Sequence, residues 1–319
     1  MTTTSDVCDV GRQVIAEVER AVVGKRSLLE MVMASVFAGG HVLLEDFPGL
    51  GKTLIARSFS TVLGLEFKRI QFTPDLLPAD ITGGYVFNRA ENRFDLRQGP
   101  IFANIILADE INRASPKTQS ALLEAMQERQ VTLEGETLSL SEPFLVLATQ
   151  NPIEYEGTFP LPEAQLDRFM LKLTVGYPTV EEETDILHRR RERRQDDVSL
   201  NMVTNAGQLM DLRQSVESIH VDADLEAYIA RIVHETRSDR RVAVGGSPRA
   251  SLAFLKMARA RAALEGRDYI LPDDIKHFAI PVLSHRLILQ PEYWMARRVA
   301  EEVVGDVLDR VPVPVVRRM

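Results

Sequence analysis

One cysteine, Cys8, stands among 319 residues. A chain so equipped forms no internal disulfide and no cysteine-based zinc site, the usage expected of a reducing compartment. Long apolar runs are missing as well: nothing approaches the roughly 18 residues of a membrane-spanning helix. The opening MTTTSDVCD has no basic stretch followed by an apolar one, so neither a span nor a secretory leader is expected, and the expected location is cytoplasmic. Positive charge is scarce too. With 38 Lys and Arg against 46 Asp and Glu, the net charge is -8 at pH 7, which argues against bulk nucleic-acid binding, because grip on a phosphate backbone needs a basic surface. Repeats and low-complexity tracts are not evident. What remains is a soluble globular composition, 45% hydrophobic and 26% charged, long enough for two domains at roughly 150 residues each.

The chain is organised around residues 41 to 53, HVLLEDFPGLGKT. An apolar run that breaks into a glycine turn and resumes as LIARSFSTVLG reads as a buried strand, a phosphate loop and a helix. Backbone N–H groups of Pro48-Gly49-Leu50-Gly51-Lys52-Thr53-Leu54, less proline's missing one, and the helix N-terminus point at a single anion. Lys52 can reach β and γ phosphates, and the Thr53 hydroxyl can take one place on Mg2+. Asp46 occupies the position where G-x-x-x-x-G-K-[ST] has its first glycine. Upstream, Val22, Val23 and Gly24 lie between two helices; they either cover an adenine or make a plain helix–helix turn.

A second motif is FANIILADEINRA, residues 102 to 114. Its strand ends in two adjacent acids, Asp109 and Glu110, at the carboxyl end where an α/β sheet binds its ligand. Asp109 would hold Mg2+ through water, and Glu110 would polarise the attacking water. The bland alternative is a strand end with a helix cap. Asn112 and Arg113 face the same edge without an assigned role. PFLVLATQNP is another buried strand, whose tip residue Asn151 either holds that water or belongs to an N-P turn. Arg168, in an amphipathic helical setting over 161 to 170, pairs with Glu163 or Asp167, or acts as an arginine finger on a neighbouring subunit's phosphate. In GGSPRASL, Arg249 sits in a first helical turn, where the dipole disfavours a cation; a nucleotide phosphate or an acidic side chain should compensate it.

EFKRIQF alternates as a strand, and YVFN with RFDLR, then the stretch around Glu134 and Gly135, read as two inserted β-hairpins. If the protein pulls on a polymer or partner, the first is its natural finger. Strands cease near residue 178, and helices are expected at about 180 to 195, 205 to 217, 222 to 237, 248 to 265, 272 to 286 and 293 to 309. HRRRERRQDD is a solvated helical face.

In the order GLGKT, ILADEINRA, ATQNP, LDRF and GSPRA, these motifs resemble the MoxR family of AAA+ ATPases over nearly the whole chain. The resemblance implies an α/β AAA+ P-loop core, a parallel sheet flanked by helices with inserted hairpins, over 1–178, followed by an all-α lid domain over 179–319. It implies ATP and Mg2+ as cofactors, with Val23 and Gly24 on the nucleotide beside residues 48 to 54. Lys52 and Thr53 become Walker A, Asp109 and Glu110 Walker B, Asn151 sensor 1, Arg168 the arginine finger and Arg249 sensor 2, acting in its own subunit or the next. It further implies a hexameric homo-oligomer that remodels or matures a protein client, often beside a von Willebrand factor A domain protein. A magnesium-chelatase-like motor and a nucleotide-gated assembly module with little turnover stay open, as does a DNA translocase, which the acidic balance opposes.

Overall fold

Five apolar runs pair side by side in the computed structural model, which describes residues 3–151, 157–294, 296 and 298–314. They are β1 (Val42–Glu45), β2 (Phe67–Gln71), β3 (Ile105–Asp109), β4 (Leu145–Gln150) and β5 (Leu171–Leu173), ordered β2-β3-β4-β1-β5 and all parallel. Such strands read as continuous hydrophobic runs because both faces are covered, and the residues divide by period two. Val42, Leu44, Ile105, Leu107, Leu145 and Leu147 join one apolar cluster; Leu43, Ile106, Ala108, Val146 and Ala148 join the other. The register sets Gln71 beside Asp109 and Glu45 beside Gln150. Strand ends therefore gather their polar residues along one edge.

The first cluster takes in Ile55 and Phe59 of the helix Lys52–Val62, then runs on to Leu209, Ile229, Phe254 and Val303 in the later helices. One continuous core thus backs the sheet and the helical C-terminal part. Both hairpins are present, Gly83–Asn88 with Arg93–Gln98 and Gln130–Leu133 with Glu136–Ser139. The second turns through Glu134 (φ 48°) and Gly135 (φ 87°), the pair of positive φ values that a tight hairpin's twist demands. The first leaves Phe87 and Phe94 exposed, their rings 5.2 Å apart.

Several elements differ from the sequence reading, among them the edge strand β5, which it did not assign. The expected helix over 272 to 286 is broken into Pro272–His277, Ala279–Leu283 and a 3-10 turn, Ser284–Arg286. Pro281 explains this, since it has no N–H for the carbonyl four residues back. The final helix begins at Val299, after a separate turn at Pro291–Tyr293. Among the helices, Val242–Val244 pairs antiparallel with Ile288–Leu289, a ribbon too short for periodicity to reveal.

His41 anchors the start of β1. The Val146 N–H donates to its Nδ1 (3.0 Å), so the other nitrogen carries the proton and Nε2 donates to the Met126 carbonyl (3.1 Å). Burial, abetted by nearby Arg129 and Arg213, pushes its pKa from the ordinary 6.5 down to about 4. Burial also holds His285 well below the usual range. A buried neutral histidine stays uncharged in the fold while the unfolded chain takes up protons. Its stabilisation is therefore complete above the unfolded value and is lost as pH falls from about 6.5 towards 4. We expect His41 to cost about 2 kcal/mol between pH 7 and pH 5, read as a lower urea midpoint, and His41→Gln to flatten that part of the slope.

Candidate functional site

Where β1 ends, the chain makes the phosphate loop. The Asp46 N–H still donates to the Gln150 carbonyl (3.1 Å), after which the backbone leaves the sheet and enters the helix Lys52–Val62 through Gly51, at φ 81°. No side chain caps that helix, so its first N–H groups are available to an anion. A Cβ on Gly49 or Gly51 would meet nothing within 4 Å. Both glycines border open space of the kind a phosphate fills.

Asp46 explains the departure from the usual glycine. Its side chain is spent on backbone: Oδ1 accepts from the Phe47 N–H (2.8 Å) and Oδ2 from the Gly176 N–H (2.6 Å). The residue is 5% exposed. It therefore pins the loop to the segment that follows β5. A carboxylate accepting backbone N–H bonds contributes about 1.5–3 kcal/mol each, so we expect Asp46→Gly to lower unfolding free energy by about 2 kcal/mol or more, while Asp46→Asn, which keeps one acceptor, loses less. Denaturant titration of the three proteins measures the difference.

Pro48, Gly49, Gly51, Lys52 and Thr53 line a pocket of about 310 Å³ together with Asp109, Glu110 and Asn151. All eight are residues for which the sequence predicts phosphate, metal or catalytic roles, and the fold brings them together. Lys52, only 9% exposed, donates from Nζ to the Asp46 carbonyl (2.5 Å). Burial lowers its pKa, against the opposing pull of Asp46, Asp109 and Glu110. Glu110 has a left-handed backbone, φ 56°, which costs a non-glycine residue about 1 kcal/mol or more and collects at functional sites. Thr149 holds it there. The Glu110 N–H donates to Thr149 Oγ1 (2.8 Å), and that hydroxyl donates to Asp109 Oδ1 (2.7 Å).

Two residues of β2 complete the arrangement, and sequence reasoning missed both. Arg69 donates to Asp109 Oδ2 from Nε (3.0 Å) and Nη2 (2.7 Å), and from Nη2 to Gln71 Oε1 (2.5 Å). Because arginine only donates, the Gln71 oxygen is fixed towards it and the amide Nε2 is left to donate to Glu110 Oε2 (2.8 Å). Arg69 and Gln71 are two apart in a strand that pairs with β3, so they share the face that meets Asp109. That alternation in EFKRIQF was the available signal. Arg113 finds its role here too, with Nε 3.2 Å from Glu110 Oε2. Asn112 is 3% exposed and its carbonyl accepts from the Phe159 N–H (2.6 Å). The amide of Gln119 braces the same turn, donating to the carbonyls of Ile111, Ala114 and Phe159.

Leu50 packs into the core and Leu54 is exposed, so neither side chain lines the pocket. Val23 and Gly24 lie in the turn between the helices Thr4–Val18 and Arg26–Ala38. Gly24, at φ 71°, borders a cleft of about 1070 Å³ shared with Asp46 and Phe47. A side chain there would collide with Glu182.

The two arginines stand elsewhere. Arg168 follows a helix of only four residues, Glu163–Leu166, instead of lying within a longer one. It uses neither Glu163 nor Asp167: Nη1 donates to the Leu123 carbonyl (2.5 Å), and Nε is buried with no hydrogen-bond partner. Asp167 instead receives Arg286 Nε on Oδ1 (2.8 Å) and the Ser247 hydroxyl on Oδ2 (3.2 Å). Arg249 does have an acid nearby, with Nη1 3.7 Å from Asp167 Oδ2. Half of its side chain is exposed. Neither arginine lines the phosphate pocket of its own chain.

Among the described residues, no cluster of three or more His, Cys, Asp or Glu could hold a metal unaided. A hydroxyl, Thr53, and an acid, Asp109, on one pocket suit a cation that arrives with phosphates, since Mg2+ takes one or two carboxylates and completes its shell with phosphate oxygen and water.

Comparison with known proteins agrees with this geometry. A family model described as "ATPase family associated with various cellular activities (AAA)" matches residues 41–171, and one described as "AAA lid domain" matches 234–307. The chain is 48% identical over 303 residues to YeaC, an uncharacterized protein of Bacillus subtilis, covering 95% of this chain and 94% of that one. It is 44% identical over 309 residues to the chaperone MoxR1 of Mycobacterium tuberculosis, covering 94% and 81%. A crystal structure of a candidate ATPase from Cytophaga hutchinsonii superposes with a TM-score of 0.91 at 38% identity, covering 98% of this chain and 97% of that one.

Proposed function

We propose, from the premise that this chain belongs to the MoxR family of AAA+ ATPases, that it hydrolyses ATP with Mg2+ to remodel or mature a protein client. The observation that carries this reading is the convergence of Lys52, Thr53, Asp109, Glu110 and Asn151 on one pocket at the carboxyl edge of the sheet. In the reaction, the loop amides and Lys52 hold the β and γ phosphates, the lysine giving up the Asp46 carbonyl to do so. Mg2+, when bound, would supply positive charge that offsets what develops on the phosphate. Thr53 and Asp109 are the residues that would hold it. Glu110 takes a proton from the attacking water, and the Asn151 amide orients that water.

Arg168 and Arg249 act across subunits in this reading. Arg249 and Arg286 of the helical part both reach Asp167, the residue before Arg168, so Arg168 and Arg249 lie on neighbouring segments. The catalytic unit is then a ring, hexameric in our proposal, with each pocket completed by its neighbour. The first hairpin, with Phe87 and Phe94 exposed at 47% and 65%, offers an apolar contact to a client segment; a von Willebrand factor A domain protein is the partner we propose to supply one. No helix among the described residues is long and apolar enough to cross a membrane, and we propose that the machine works in the cytoplasm, where ATP is supplied. Steady-state phosphate release by the wild-type chain, set against its Glu110→Gln variant, tests the reading. Equal release from the two, at background level, would leave only a nucleotide-gated assembly module.

A further inference from the structure

Asp109 is fully engaged by its neighbours. One oxygen takes the Thr149 hydroxyl, and the other takes two N–H groups of Arg69, at 3.0 and 2.7 Å. The guanidinium therefore occupies Oδ2 of an acid that lines the phosphate pocket, which Arg69 itself lines beside Gly51, Lys52 and Thr53. A full positive charge and a divalent cation cannot share that oxygen without strong repulsion. About half of the Arg69 side chain is exposed, so it can withdraw from Asp109 without unpacking the core.

We propose that Arg69 competes with Mg2+ for Asp109, holding the carboxylate until a metal-bound nucleotide displaces the guanidinium. The consequence reaches the second acid. Arg69 also fixes the Gln71 oxygen (2.5 Å), and through that the direction of the amide that donates to Glu110 (2.8 Å). Once the guanidinium leaves, the Gln71 amide loses the contact that fixes which way it faces, while Arg113 stays within 3.2 Å of the same Glu110 oxygen. Arg69 acts as a positioning residue in this scheme.

The inference rests on the ATPase reading, and the experiment separates the two. Mn2+ binding to the full chain is followed by electron paramagnetic resonance with a non-hydrolysable ATP analogue present, for the wild type, Arg69→Gln, Arg69→Lys and Asp109→Asn. We expect Arg69→Gln to bind Mn2+ about fivefold more tightly than the wild type, the scale of one partly exposed ion pair. Arg69→Lys, which cannot grip in a fork, should fall between, and Asp109→Asn should bind more weakly than all three. Equal or weaker Mn2+ binding by Arg69→Gln overturns the competition. A wild-type chain that binds no Mn2+ with the analogue overturns the ATPase reading instead.

Discussion

Arg168→Ala should lower ATP turnover by about 10³- to 10⁵-fold, the range by which an arginine finger accelerates phosphoryl transfer, with ATP binding kept. Two observations make this the most exposed of our expectations. Arg168 is absent from the pocket of its own chain, and the acid beside it, Asp167, is committed to Arg286 and Ser247. As a merely structural residue, Arg168 would contribute its bond to the Leu123 carbonyl, about 1.5–3 kcal/mol of stability, and turnover would survive its loss. A mixing experiment decides between these. Arg168→Ala chains keep an intact phosphate loop, and Lys52→Ala chains keep the arginine, so each is inactive alone. Combined, they should regain a measurable part of the wild-type rate, because some pockets then receive lysine from one chain and arginine from the next. No regain on mixing, with both variants assembled, would refute a pocket shared between subunits, as would a fully active monomer.

The second large effect is expected at Glu110. Glu110→Gln keeps the side-chain length but removes the charge that accepts the proton from water, a loss of about 10²- to 10⁴-fold in hydrolysis. ATP binding should persist, since Lys52 and the loop amides are untouched. The amide loses the ion pair with Arg113, 3.2 Å away in the wild type, and that pair is exposed enough for stability to change little. Stalled with ATP bound, the variant should also retain its client, so affinity capture from lysate with Glu110→Gln, compared with wild type, both reports the hydrolytic block and supplies client candidates. Wild-type hydrolysis in this variant would remove Glu110 from the role of base.

How much of this the sequence could foretell follows from how local each signal is. Asp109 and Glu110 at a strand end, GKT at a helix start and both hairpin turns were legible because each is written within a few consecutive residues. Period-two alternation and turn chemistry need no tertiary knowledge. Arg69 and Gln71 were not legible. Their importance comes from a neighbouring strand whose register sets Gln71 against Asp109, and nothing within EFKRIQF names that neighbour. Pro281 stood in plain view inside a helix expected to run through it, and its missing N–H should have divided that helix at once.

The sequence by itself determined the succession of the first four strands, phosphate loop, acids and most helices along the chain, and the family to which that succession belongs, because backbone preference and hydrophobic period are properties of adjacent residues. Only the tertiary structure decided where the side chains of Asp46, Asp167 and Arg69 are spent. Asp46 reaches Gly176, Asp167 reaches Arg286, and Arg69 reaches Asp109. Those partners lie 40 to 130 residues away along the chain. Electrostatics and hydrogen bonding act through space, over a few ångströms, and the folded path of the backbone alone sets which charges come that close.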